Sequence, residues 1–160
     1  MELGMNKEYY IATACDRIYL APPGELFING LAADVMFFRG SLDKLGVYPD
    51  IYQIGKYKSV GDMFTRKDMS DAHREYINSL LDDLFNRYVE AIAKARGKTT
   101  EEVRAIIDNS PYGSVKAKEA GLIDSASYRD ELDKEIKTKL GYKDSDELPI
   151  VRGSAYREVS

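Results

Sequence analysis

Apolar residues recur at helical spacing most strongly in the rear half of the chain, where Ile77, Leu80, Leu81, Leu84, Tyr88, Ile92 and Ala95 fall on one stripe. Ser70 precedes that stripe as an N-cap and Gly97 closes it, so a long helix is predicted between them, with the stripe as core. Thr99-Thr100-Glu101-Glu102 has the form of a capping box and leads into a short helix with Val103, Ile106 and Ile107 inward. Pro111-Tyr112-Gly113 breaks it. A further short helix is predicted from Ser114 to Ala120 with Gly121 as its stop. Ser127 is read as the cap of a last one carrying Tyr128, Leu132, Ile136 and Leu140 up to Gly141. The charged stretch Lys143 to Glu147 reads as an exposed loop, and Ile150-Val151 as a closing strand.

The front half has a different pattern. Glu8 to Cys15 suggests a short helix, Arg17 to Ala21 a buried strand stopped by Pro22-Pro23-Gly24, and Glu25 to Gly30 a second extended piece. Val35, Phe38, Leu42 and Leu45 repeat at helical spacing between Asp34, a candidate N-cap, and Gly46. Asp50 to Ile54 makes the next strand. Strand, helix and strand joined by short turns predict parallel pairing through a right-handed crossover. The fold class expected is therefore α/β: a short parallel sheet with a crossover helix, followed by a helical C-terminal half. The chain is expected to be a single domain fragment, with residues 8–64 as the α/β part, 70–140 as the helical part and 141–160 as a C-terminal extension.

Composition narrows the function classes. The 160 residues are 44% hydrophobic and 31% charged, as in an ordinary globular protein, and the net charge of −4 argues against a nucleic-acid partner. The longest apolar runs fall short of the roughly 20 residues a bilayer requires, and the first seven residues lack the order of a signal peptide. The lone Cys15 makes no internal disulfide and reads as a buried small hydrophobe. The single His73 has no cysteine or histidine companion for zinc, and beside Ser70, Asp71 and Glu75 it reads as a surface residue in the first turn of a helix. No metal or cofactor is expected, and a Ser-His-Asp triad is disfavoured.

Candidate chemistry concentrates in Gly55-Lys56-Tyr57-Lys58-Ser59-Val60-Gly61-Asp62-Met63-Phe64. A glycine-flanked turn lets substrate and backbone come close, and partial desolvation there would favour the neutral amine of a lysine, a base. Placed after the Asp50–Ile54 strand, the turn would lie at the carboxyl end of a parallel sheet, where ligands gather. Both Lys56 and Lys58 are candidates, two positions apart and so on one face of an extended segment. Tyr9-Tyr10 and Phe37-Phe38 read as core or subunit contact before they read as a groove for apolar peptide.

Three runs carry a family resemblance: Glu8-Tyr9-Tyr10-Ile11-Ala12; Gly55-x-Tyr57-Lys58-Ser59 with Phe64-x-Arg66-x-x-Met69-Ser70 after it; and Ala117-x-x-Ala120-Gly121-Leu122-Ile123-Asp124. Together they resemble signal peptide peptidase A, also called protease IV, from about Glu8 to the last helix, and most closely the amino-terminal half of its long form. The resemblance implies a ClpP/crotonase-like fold and a membrane-anchored bacterial serine peptidase, with its catalytic domain on the extracytoplasmic side, that degrades cleaved signal peptides with a Ser-Lys dyad. It assigns the general base to Lys58, with Ser59 as a possible support through its hydroxyl.

The nucleophilic serine does not carry over. The positions of its glycine-rich turn hold Gly4-Met5-Asn6-Lys7 or lie outside the chain. The resemblance thus implies a serine-bearing partner, either another domain or a neighbouring subunit, and an inactive isolated chain. A sheet edge left open by missing upstream strands would favour homo-oligomers. Val60 stands where a smaller residue is usual, and Asp62-Met63 where the long form has Glu-Pro. The alternative is a non-catalytic assembly module in which the Ser70–Arg96 helix packs repeats into a ring. An acyl-CoA enzyme of the same fold is a third idea, without the oxyanion-hole segment that would argue it.

Overall fold

The computed structural model describes residues 1–151 and Ala155. The chain forms two compact units, residues 1–28 with 110–160, and residues 29–109. Among the described residues it is a mixed α/β protein with two small sheets, both in the first unit.

In the first unit, β1 (Leu3–Met5) pairs in parallel with β3 (Glu25–Phe27), which pairs antiparallel with β4 (Tyr112–Gly113); β2 (Tyr19–Leu20) pairs in parallel with β5 (Ser125–Ala126). Helix α1 (Asn6–Ala12) follows β1 and buries Tyr9. Helix α6 (Ser114–Glu119) follows β4, and α7 (Arg129–Leu140) closes the unit. The core is Tyr9, Ile18, Leu20, Leu26, Ile28, Ala117, Leu122 and Ile123.

The run from Ala117 to Asp124 has a structural explanation. Gly121 takes φ +71°, the left-handed conformation that ends a helix cheaply only at glycine, and the Leu122 amide returns to the Ala117 carbonyl at 2.8 Å. Asp124 then locks onto β2's approach: its carboxylate accepts from the Ile18 amide at 2.7 Å and its own amide donates to the Ile18 carbonyl at 2.8 Å. Ser127 does not cap α7. Its amide donates to the Leu20 carbonyl at 2.9 Å and its hydroxyl to Ser125 Oγ, so the β2–β5 ladder takes it up, and the helix starts one residue later, where Glu131 accepts from the Tyr128 amide. Leu132 and Ile136 are half-buried, while Tyr128 and Leu140 are exposed.

Cys15 is exposed, not buried: it lies in the turn past the end of α1, its amide bonded to the Ala12 carbonyl. Ile150-Val151 forms no strand; the Ile150 amide turns back to the Leu148 carbonyl. The loop at Lys143–Glu147 is present. Of the extension at 141–160, residues 152–154 and 156–160 lie outside the described residues.

In the second unit, α2 (Arg39–Lys44), α3 (Asp62–Thr65), α4 (Asp71–Arg96) and α5 (Thr100–Asp108) are joined by irregular segments. The signals around α4 act as read: Ser70 Oγ accepts from the His73 amide, and Gly97 takes φ +61°. At α5 both halves of the capping box form, Thr99 Oγ1 with the Glu102 amide and Glu102 Oε2 with the Thr99 amide. Tyr88, Val89, Ile92 and Ala93 of α4 and Val103 and Ile107 of α5 are buried where the two helices pack. Each fully enclosed aliphatic side chain there contributes about 1.5–3 kcal/mol.

The front of the predicted stripe is not core. Leu80 and Leu84 are exposed and Ile77 and Leu81 half-buried. A nine-residue helix spans roughly 13 Å against roughly 39 Å for α4, so α5 covers only the rear of it.

Two further expectations fail in this unit. The helix predicted from Val35 forms only from Arg39, because the Phe38 amide is drawn to the Met63 carbonyl at 2.6 Å and Asp34 caps nothing. The strand predicted at Asp50–Ile54 is absent, and with it the crossover: residues 47–54 have no ladder partner, and an apolar run signals burial without supplying a neighbouring strand. His73 is buried as well. Ser70, its cap, also bonds Asp62 of α3, which draws the first turn of α4 inward.

Candidate functional site

The lysine turn is built from its own backbone. Gly55 takes φ +107°, a conformation that side chains resist. Past it, the Lys58 amide donates to the Gly55 carbonyl at 3.2 Å, the Ser59 amide to the Tyr57 carbonyl at 3.1 Å and the Asp62 amide to the Ser59 carbonyl at 3.0 Å. The turn thus coils into α3 instead of ending a strand. Phe64 of α3 stacks on Phe38 with ring centres 6.0 Å apart.

The two candidate lysines part company. Lys56 reaches Tyr57 Oη at 3.4 Å, the Tyr57 ring centre at 5.1 Å and Glu75 Oε2 at 3.7 Å, while Tyr57 Oη donates to the same carboxylate at 3.3 Å. The Tyr57 hydroxyl, and after it the Glu75 charge, hold the Lys56 ammonium above its ordinary value. A lysine held in its charged form is a poor base, so Lys56 is a surface ion-pair residue.

Lys58 faces a different environment. With Ile51, Tyr52, Ile54, Val60 and Phe64 it lines an open, mainly apolar concavity of about 710 Å³. Its side chain is exposed, so this unit does not itself supply the expected desolvation. Ser59 is half-buried and joins the turn through its amide and carbonyl.

Sequence reasoning missed what stands behind the turn. Asp62 is buried, at 6% exposure, and its carboxylate accepts from Gln53 Nε2 at 3.1 Å and Ser70 Oγ at 3.3 Å. An acidic residue in a helix's first turn is ordinary, and only burial sets this one apart. Among the described residues no group of three or more His, Cys, Asp or Glu is arranged to hold a metal ion, and no helix is long and apolar enough to cross a membrane.

Comparison with known proteins gives this turn a context. Residues 3–143 match Peptidase family S49. The chain belongs to that family. It is 36% identical over 153 residues to the chloroplastic serine protease SPPA of Arabidopsis thaliana, covering 96% of this chain and 23% of that protein. Protease 4 of Haemophilus influenzae is 32% identical over 145 residues, covering 84% of this chain and 23% of that protein, and a putative signal peptide peptidase SppA of Enterococcus faecium is 29% identical over 77% of this chain and 35% of its own length. The chain therefore spans between about a quarter and a third of the length of these S49 relatives. Its S49 match takes in the lysine turn whole, and the resemblance read from the three sequence runs is correct.

Proposed function

We propose that this chain is the lysine-bearing portion of a serine endopeptidase that degrades cleaved signal peptides, with Lys58 as general base. One observation carries the reading: in a chain of family S49, Lys58 stands at an apolar-walled concavity in a glycine-bounded turn, while its rival Lys56 is tied to Glu75. The nucleophilic serine comes from outside residues 1–160, from another segment of a longer protein or from a neighbouring subunit.

In the reaction the neutral Lys58 amine takes the proton of the serine hydroxyl as its oxygen attacks the peptide carbonyl, and the resulting ammonium returns a proton to the leaving amine. The acyl-enzyme is then hydrolysed by water through the same base. Only the neutral amine can begin this, and exclusion of water favours the neutral form. Because Lys58 is exposed here, the bound peptide and the serine-bearing segment have to cover it. Ser59 supports the amine through its hydroxyl. Apolar substrate matches the walls of Ile51, Tyr52 and Phe64.

The intact protein takes up a ClpP/crotonase-like fold, sits at the bacterial cytoplasmic membrane with its catalytic part outside, and works as a homo-oligomer. No cofactor or nucleic acid enters the reaction. The second reading, a non-catalytic assembly module, draws on the exposed Leu80 and Leu84 of α4.

The deciding experiment supplies the serine-bearing segment and follows peptide hydrolysis. The wild-type chain hydrolyses peptide only with that segment, and Lys58→Ala abolishes the activity. Full activity of Lys58→Ala would reject the catalytic reading in favour of the module.

A further inference from the structure

We infer that Asp62 is the positioning residue for Lys58, its buried carboxylate fixing the lysine turn between Gln53 on one side and Ser70 on the other. This rests on the proposed role of Lys58 and extends it.

A carboxylate removed from water is costly unless hydrogen bonds replace its hydration. Asp62 has such replacements, and they come from two directions. Gln53 Nε2 donates to Oδ1 from the segment before the turn, and Ser70 Oγ donates to Oδ2 from the residue that caps α4. Ser70 Oγ in turn accepts from the His73 amide at 3.2 Å, so the carboxylate is connected to the first turn of a 26-residue helix. On the other side the Asp62 amide holds the carbonyl of Ser59, the residue after Lys58.

Gly61 leaves room for the arrangement. A Cβ there would come to 2.8 Å from both Gln53 Oε1 and Ile51 Cγ2, so a larger residue would push these two side chains aside, and with Gln53 its bond to Asp62. The backbone next to the exposed Lys58 is thereby connected through Ser59, Asp62 and Ser70 to the longest described helix. The arrangement works by hydrogen bonding and does not require the negative charge. In an Asp62→Asn protein the amide oxygen accepts from Ser70, and its NH₂ donates to Gln53 once the glutamine amide turns over.

The test is peptide hydrolysis by the chain together with the serine-bearing segment. Asp62→Ala lowers kcat by about ten- to a hundredfold with KM little changed, as misplacement of a reacting group does. Asp62→Asn restores kcat to within about threefold, with the wild-type pH–rate profile. Gln53→Leu, which keeps the Ser70 bond and the α4 cap, guards against a folding defect and lowers kcat in the same direction.

Wild-type kcat in Asp62→Ala overturns the inference. So does an Asp62→Asn protein as impaired as the alanine variant, since that would show the charge to be what matters. Amide exchange in the isolated chain separates this inference from the catalytic reading. Faster exchange at residue 62 in Asp62→Ala supports the positioning role even if Lys58→Ala proves active, and unchanged exchange counts against it.

Discussion

Tyr9 and Leu122 are joined across 113 residues by a hydrogen bond of 2.6 Å from the tyrosine hydroxyl to the leucine carbonyl, in the closed interior of the first unit. The bond ties α1 to the turn that follows α6, and both residues are fully buried. Tyr9→Phe keeps the ring and removes the donor from a carbonyl that water does not reach. The cost is about 1–3 kcal/mol, read as a lower urea midpoint at unchanged slope. A midpoint equal to wild type would show that the carbonyl finds another donor.

Lys56 and Lys58 lie two residues apart and differ in what surrounds them. Lys56→Met releases Tyr57 and Glu75 at the surface and leaves peptide hydrolysis by the complemented protein near wild type. Lys58→Met lowers kcat by about a hundredfold or more, the usual contribution of a general base. The reverse ranking would move the base to Lys56.

The capping box of α5 is sensitive to acid. A hydrogen bond from the Thr99 amide holds the Glu102 carboxyl below its ordinary value. A carboxyl depressed in the folded state stabilises it above the unfolded value, about 4.3 for glutamate, and that contribution disappears as pH falls through the folded value. Unfolding free energy should therefore decline on acidification, and Glu102→Gln should flatten part of that slope. Thr99→Ala removes the other half of the box and costs about 1 kcal/mol at neutral pH. Hydrogen exchange within α5 over a pH series measures both.

Two glycines predict opposite outcomes on alanine substitution. At Gly24 a Cβ would approach the Glu2 carbonyl oxygen to 2.6 Å and the Ala21 carbonyl oxygen to 2.9 Å, both backbone atoms that yield only if the chain moves. Gly24→Ala should destabilise by about 1–3 kcal/mol. At Gly30 no atom lies within 4 Å of the same position, so Gly30→Ala should be neutral or stabilising by up to about 1 kcal/mol through a less flexible unfolded chain. Thermal unfolding of the two variants compares them directly.

The elements that follow their sequence signals are those whose determinants lie within a few residues. Ser70 and Thr99 start helices by accepting from amides three positions on, and Gly97, Gly121 and Gly141 end them with positive φ, their amides donating to carbonyls three or four positions back. The signals that misled depend on distant partners. Asp50–Ile54 has a strand's composition and no strand beside it, and Leu80 and Leu84 have a core stripe's spacing beyond the reach of α5. Cys15 and His73 exchange their expected environments for the same reason, since burial is a property of what packs on a residue.

The candidate site divides along the same line. The sequence by itself determined the family through its three runs, the caps at Ser70 and Thr99, and the glycine turn that presents Lys58, because motif, cap and turn are each properties of a short local segment. Only the tertiary structure decided that Lys56 is held charged by Tyr57 and, after it, Glu75, that Lys58 is open to solvent beside an apolar concavity, and that a buried Asp62 connects the turn to Gln53 and Ser70. Charge state, solvation and hydrogen-bond partners depend on which groups the fold brings within about 3–4 Å of one another, and no local pattern of residues encodes that.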